Sequence, residues 1–159
     1  MGVEIERKFL VASDQWRDSV VRSEPMSQAY LASHDGCSIR VRLAGDTAHL
    51  NIKGRTIGAR RLEFEYPIPV TDAEAMLEGL GGPRVAKTRH YIPAGDLTWE
   101  VDEFAGDNSG LVVAEIELPD EDASFPRPAW LGEEVTGDER YYNMALAQRP
   151  YRHWSHGRG

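Results

Sequence analysis

The chain is poor in the residues that announce most site chemistries. It has 159 residues and one cysteine, Cys37. A lone thiol builds neither an internal disulfide nor a cysteine-based zinc site, and such a chain suits a reducing compartment. No apolar run approaches the ~20 residues that a membrane span needs. The start, Glu4-Ile5-Glu6-Arg7, is charged where a signal peptide would be apolar. Glu6 stands where a myristoylation signal requires Ser or Thr. These absences point to a cytoplasmic protein without a membrane partner. There is no Walker-type phosphate loop and no GxGxxG turn. His34, His49 and His90 fall at strand ends or turns, and His153 and His156 form an HxxH pair in the tail; none makes a convincing metal spacing. Positive charge is in deficit, with 18 Lys and Arg against 26 Asp and Glu and a net charge of −8. That excludes a general binder of nucleic acid. A polyanion could still be held wherever the basic residues gather.

What the chain does have is alternation. Val3 to Val11 places Glu4, Glu6 and Lys8 on one face of a strand and Val3 and Ile5 on the other. The habit returns in Cys37-Ser38-Ile39-Arg40-Val41-Arg42-Leu43, in Thr47 to Lys53, and in Arg60 to Val70, where Arg61, Glu63 and Glu65 oppose Leu62, Phe64 and Tyr66. It returns again in Arg84 to Ile92 with Lys87 and Arg89, in Leu97 to Phe104 with Glu100 and Asp102, and in Leu111 to Leu118 with Glu115 and Glu117. Met26 to Ser33 completes a set of eight strands. Short turns such as His34-Asp35-Gly36 and Ala44-Gly45-Asp46 favour antiparallel pairing of neighbours. Pro67 and Pro69 mark the far end of their strand as an edge.

Helices are few. Ser13 is placed to cap a short helix from Asp14 to Val21, ended by Ser23-Glu24-Pro25. Thr71 and Glu74 have capping-box spacing ahead of Ala73, Met76, Leu77 and Leu80, stopped by Gly81-Gly82-Pro83. Asp138 caps a last helix, Glu139 to Gln148, ended by Pro150. Pro119 to Glu134 reads as irregular. The organisation is one domain over residues 1–150, with 151–159 as a frayed tail.

One explanation of the charged faces is a wet outer surface. Such faces usually mix Thr, Ser, Gln and Lys, whereas here Arg or a carboxylate recurs at register after register, and Asp and Glu are poor strand formers. The other explanation is a closed sheet with its charged faces turned inward and its apolar faces covered by helices. An eight-stranded barrel has room for side chains or one small ligand. Charges buried on that scale must pair with one another or with ions. A polyanion with divalent cations satisfies both sets: Arg matches phosphate oxygens, and carboxylates suit Mg²⁺ and Mn²⁺.

Glu4-Ile5-Glu6-Arg7-Lys8 matches the ExExK signature of the CYTH superfamily, the triphosphate tunnel metalloenzymes. Arg40-Val41-Arg42, Lys53, Arg61-Leu62-Glu63-Phe64-Glu65, Lys87-Thr88-Arg89, Glu100-Val101-Asp102 and Glu115-Ile116-Glu117 resemble the family's later strands in order. Gly132-Glu133-Glu134-Val135-Thr136 and Tyr142-Asn143 with Leu146-Ala147 extend the likeness to its short bacterial members. The resemblance implies a mainly β, α+β fold: an eight-stranded antiparallel tunnel with a charged interior and a few helices outside.

The same resemblance implies a metal-dependent triphosphatase, with inorganic tripolyphosphate as the leading substrate. Thiamine triphosphatase, nucleoside triphosphatase and adenylate cyclase are the alternatives of the same fold. A non-catalytic polyphosphate-binding module is the alternative of another class. Lys8, Arg40, Arg42, Lys53, Arg61, Lys87 and Arg89 would grip phosphate. Glu4, Glu6, Glu63, Glu65, Asp102, Glu115 and Glu117 would serve Mg²⁺ or Mn²⁺, two ions per site when substrate is bound, with Glu6, Lys8 and Glu117 as the catalytic residues. Glu100 either orients a neighbouring Lys or Arg or touches metal. Tyr30 is a wall residue that could face the tunnel, Trp130 covers the wall, and the chain acts as a monomer or homodimer.

Overall fold

Period-two patterning becomes strand wherever it occurs. The computed structural model describes residues 2–154. Among them are β1 (Val3–Val11), β2 (Arg22–His34), β3 (Cys37–Ala44), β4 (Thr47–Gly54), β5 (Arg60–Ile68), β6 (Val85–Ala94), β7 (Leu97–Phe104), β8 (Val112–Glu117) and β9 (Leu131–Glu134). Two α-helices, α1 (Val70–Gly79) and α2 (Asn143–Gln148), accompany them. Strands β1 to β8 close in the order β1-β5-β4-β3-β2-β6-β7-β8 and back to β1, antiparallel throughout. This is the expected eight-stranded barrel.

β1 is the closing stave. One of its edges pairs with β8 from Glu6 to Leu10. The other pairs first with β5, Val3 opposite Leu62, and then with β9, Phe9 opposite Glu134. β9 lies inside the stretch expected to be irregular; its four residues are too few for alternation to declare a strand. Gly132 suits that close approach, because a Cβ would sit 3.0 Å from the Leu10 carbonyl oxygen, tighter than ordinary contact.

The barrel is inverted relative to an ordinary soluble sheet: its greasy face is outside. α1 covers Ala29, Val41 and Ala48 with Ala73 and Leu77. The wall of β1, β7 and β8 is covered mainly by Phe125 and Trp130 together with Trp16, rather than by a long helix. Trp99 anchors that layer, edge-on to Phe9, Phe125 and Trp130 at 5.6–5.8 Å. Leu62, Phe64 and Tyr66 on β5 stay exposed, so the outer cover is incomplete.

Several local expectations change. The segment after β1 is a single 3₁₀ stretch, Gln15–Ser19, with the Ser13 hydroxyl accepting from the Gln15 amide at 3.3 Å. Ser23-Glu24-Pro25 terminates no helix; it lies within β2, where Pro25 stands opposite Thr88 and its carbonyl accepts from the Gly45 amide. Thr71 is inside α1, whose N-cap is Pro69 with no side-chain cap, so the capping box does not form. The last helix is broken. Asp138 does cap a 3₁₀ turn, Glu139–Tyr141, but Tyr142 is extended before α2 begins. Tyr151–His153 forms a 3₁₀ turn and Trp154 packs on Tyr141 and Tyr151. The remainder of the predicted tail, including His156, lies outside the described residues.

That break serves the barrel's end. At one mouth the inward positions turn apolar, with Val85, Phe104 and Val113. Tyr141, Leu146 and Ala147 close over them, with Leu10 and Trp154 packed alongside. The tunnel is a cavity with one end sealed by the C-terminal segment.

Candidate active site

Because every stave is antiparallel, each inward side chain stands directly across a strand gap from another. Glu6 stands opposite Glu117 and Lys8 opposite Glu115. Glu115 also stands opposite Glu100, and Arg89 opposite Asp102. Glu4 faces Arg61, Lys53 faces Glu63, and Arg40 sits between Tyr30 and Asn51. The result is a cavity of about 580 Å³. Of the predicted set, Glu4, Glu6, Lys8, Arg40, Arg42, Lys53, Arg61, Glu63, Glu65, Arg89, Glu100, Glu115 and Glu117 line it. Lys87 and Asp102 are buried just behind. His34 and Tyr30 also line it. His49 and His90 are mid-strand rather than terminal; His90 is held on the outer wall between Ser23 and Glu103.

Most of the cations are already neutralised. Lys87 reaches Asp102 at 2.6 Å, and Arg89 binds the same carboxylate with two nitrogens at 2.8 and 2.9 Å. Arg89 also contacts Glu100 and Glu115, each at 3.2 Å. Lys8 pairs with Glu115 at 3.3 Å, Arg61 with Glu4 at 3.0 Å, and Lys53 with Glu63 at 3.2 Å. Arg40 and Arg42 differ: among the described residues neither makes an ion pair, and the Arg40 Nε is buried without a partner. Arg42 is met instead by a neutral amide, its Nε donating to Gln28 Oε1 at 2.8 Å.

Titration follows this layout. Burial would raise the Asp102 and Glu115 carboxyls, but cations outweigh it: Arg89 and Lys87 hold Asp102 low, and Lys8 and Arg89 hold Glu115 well below the usual range. Glu6 goes the other way. Burial, and then the neighbouring Glu115 and Glu4 charges, push it well above 4.5. Burial also lowers Lys87 to about 7 and Lys53 to about 8. Arg42 falls to about 9, through burial first and the Arg40 and Arg89 charges next.

Glu6, Glu100 and Glu115 each offer an oxygen, and these oxygens lie within 4.8 Å of one another. Carboxylates crowded this closely repel one another unless a proton or a cation lies between them. A hard divalent cation fits such an all-oxygen donor set. Glu117 adjoins this group through Glu6. Asp102, by contrast, is occupied on both oxygens by Lys87 and Arg89.

Charge alternation alone misses several neutral contributors. Gln28 and Asn51 are buried inward-facing amides, and Asn51 donates to Glu65 at 2.8 Å. From the sealed end the Tyr141 carbonyl accepts from Lys8 Nζ at 3.3 Å. The Tyr142 ring lies 5.2 Å from that nitrogen, and Asn143 accepts from Lys87 at 3.2 Å. Gln28 and Asn51 share parity with Tyr30 and Lys53, which is the signal that points to them. The contacts from residues 141–143 have no such signal, because the chain returns from far away.

Comparison with known proteins gives a consistent result. The family model described as CYTH domain matches residues 2–149. A relative from Acetivibrio thermocellus, named inorganic triphosphatase, is 46% identical over 155 residues, covering 97% of this chain and 99% of that protein. A second inorganic triphosphatase, from Nitrosomonas europaea, is 42% identical over 149 residues, covering 91% and 96%. The crystal structure of the inorganic triphosphatase NE1496 superposes with a TM-score of 0.67 at 40% identity, covering 92% of this chain and 95% of that one.

Proposed function

The chain belongs to the CYTH domain family, and from that premise we propose that it hydrolyses inorganic tripolyphosphate to pyrophosphate and phosphate with a divalent metal. The observation that carries this reading is the juxtaposition in one buried cavity of a carboxylate cluster, Glu6, Glu100 and Glu115, with two uncompensated guanidinium groups, Arg40 and Arg42. The curated relatives named inorganic triphosphatase support it.

Arg40 and Arg42 hold one end of the substrate. Lys8, Lys53, Arg61 and Arg89 line the rest of its path and stabilise the charge that spreads over the transferring phosphoryl group. Lys87 and Asp102 fix Arg89 from behind, so Asp102 acts as an anchor rather than a metal ligand. Mg²⁺ or Mn²⁺ would be held by Glu6, Glu115 and Glu100, with Glu4 and Glu117 beside them, and would supply charge neutralisation and an acidified water. Glu63 and Glu65 orient Lys53 and Asn51. Glu117, in register with Glu6 and open to the cavity, takes the proton of the attacking water. Lys8, held against Glu115 and the Tyr141 carbonyl, faces the bond that breaks.

The test is phosphate release from tripolyphosphate, ATP and thiamine triphosphate with Mg²⁺ or Mn²⁺, and again with chelator. Tripolyphosphate should turn over fastest and chelator should stop it. No metal-dependent turnover on any of the three overturns the enzyme. Preference for thiamine triphosphate or ATP overturns the substrate.

A further inference from the structure

The arginines of the cavity are arranged in two ways. Arg61 and Arg89 are pinned by carboxylates, which position them and also cancel them. Arg42 is pinned by an amide, which positions it and leaves it charged. Guanidinium has only donors, so the Gln28 amide must present Oε1 to Arg42, and its orientation is unambiguous. The other end of that amide, Nε2, is buried and unpartnered. Gln28 is 0% exposed. A buried polar group left half satisfied is unfavourable for folding, and among the described residues the one side-chain hydrogen bond of Gln28 is to the Arg42 guanidinium. On the neighbouring stave Asn51 likewise places a neutral amide beside Arg40 in register.

We propose that Gln28 is a positioning residue that aims Arg42 without neutralising it, so that Arg42 and Arg40 form a subsite that takes a phosphate group before any metal is present. The inference rests on the triphosphatase reading for its ligand class. Its physical content is an order of events. An anion at Lys8, Arg61 or Arg89 must compete with Glu115 or Glu4, which surrender those cations only when a divalent ion draws the carboxylates away. An anion at Arg42 and Arg40 competes with no carboxylate. Tripolyphosphate therefore docks by one end at β3 without metal, and the remaining cations close on it when metal joins.

The experiment is calorimetric titration of tripolyphosphate into the full chain in chelator, with steady-state kinetics in Mg²⁺ alongside. The key variant is Gln28→Glu, which preserves shape and the hydrogen bond to Arg42 but adds the missing carboxylate. It should weaken metal-free binding by about tenfold or more and raise KM while kcat stays within roughly threefold. Its thermal midpoint should equal or exceed that of the unaltered chain. Gln28→Met, which keeps volume and loses the acceptor, should weaken binding less than Gln28→Glu. A merely structural role gives the reverse ranking, since Glu retains the bond that Met lacks. Metal-free binding unchanged in Gln28→Glu overturns the proposal. So does a lack of tripolyphosphate binding to the unaltered chain in chelator, even if Mg²⁺-dependent hydrolysis is intact. Metal-free binding that responds to Gln28 as described, with no hydrolysis under any condition, sustains the subsite and defeats the enzyme reading instead.

Discussion

Glu6 sets the proposed metal site against stability. Its folded pKa is raised, so the stability linked to it is fully present below the unfolded carboxyl value and is lost as pH rises through the folded value. At neutral pH in chelator the group is therefore a liability. Glu6→Gln should raise the thermal midpoint under those conditions and flatten its dependence on pH above about 4.5. The same variant should lose the stabilisation that Mg²⁺ gives the unaltered chain, along with metal-dependent turnover. Differential scanning fluorimetry across pH, with and without metal, checks both signs. A midpoint that falls in chelator would contradict the electrostatic account. Arg42 represents the opposite balance, a cation without a carboxylate. Arg42→Ala should cost about 1.5–3 kcal/mol of substrate binding, the range for a charged hydrogen bond, read as a rise in KM.

At the scale of elements, the informative piece is the C-terminal segment. Its break at Tyr142 lets residues 141–143 turn polar atoms toward Lys8 and Lys87 while Leu146 and Ala147 seal the barrel's apolar end. One segment is both stopper and site wall. Leu146 is completely buried, so Leu146→Ala should destabilise by about 2–5 kcal/mol in urea unfolding. Because the seal also positions Lys8, activity should decline at temperatures well below the unfolding transition. Loss of stability with fully normal kinetics would confine this segment to packing. Alternation cannot report any of this. The sealing residues belong to two short helical turns, and their partners lie on strands far away in sequence.

For the molecule as a whole, the cavity is nearly self-neutralising. Its carboxylates hold its cations until something else holds the carboxylates. Metal and tripolyphosphate should therefore bind synergistically. The rise in thermal midpoint with both present should exceed the sum of the two separate rises, because each ligand releases the partner the other needs. Simple additivity would show that the ion pairs seen here are not the ones broken on binding.

The strands and the inward turn of their charges were readable from the chain itself. A strand has a strict period of two, and Arg or Glu at successive inward registers is too costly for any closed sheet unless the charges pair with one another or hold ions. Glu4, Glu6, Lys8, Arg40, Arg42 and Glu115 follow from that alone. Helix boundaries were less secure, as Thr71 and Pro25 show, because short caps and prolines are settled by what packs against them. Which charges cancel was decided only by the pairing of the strands. Arg89 and Lys87 take both oxygens of Asp102, and Glu100 comes beside Glu6 and Glu115 because β7 and β8 pair in register. The difference is one of distance along the chain. Alternation is local and is written in consecutive residues, whereas charge compensation depends on partners on different strands, from Lys53 and Glu63 on neighbouring strands to Lys8 and Glu115 far apart along the chain, that meet only when those strands pair.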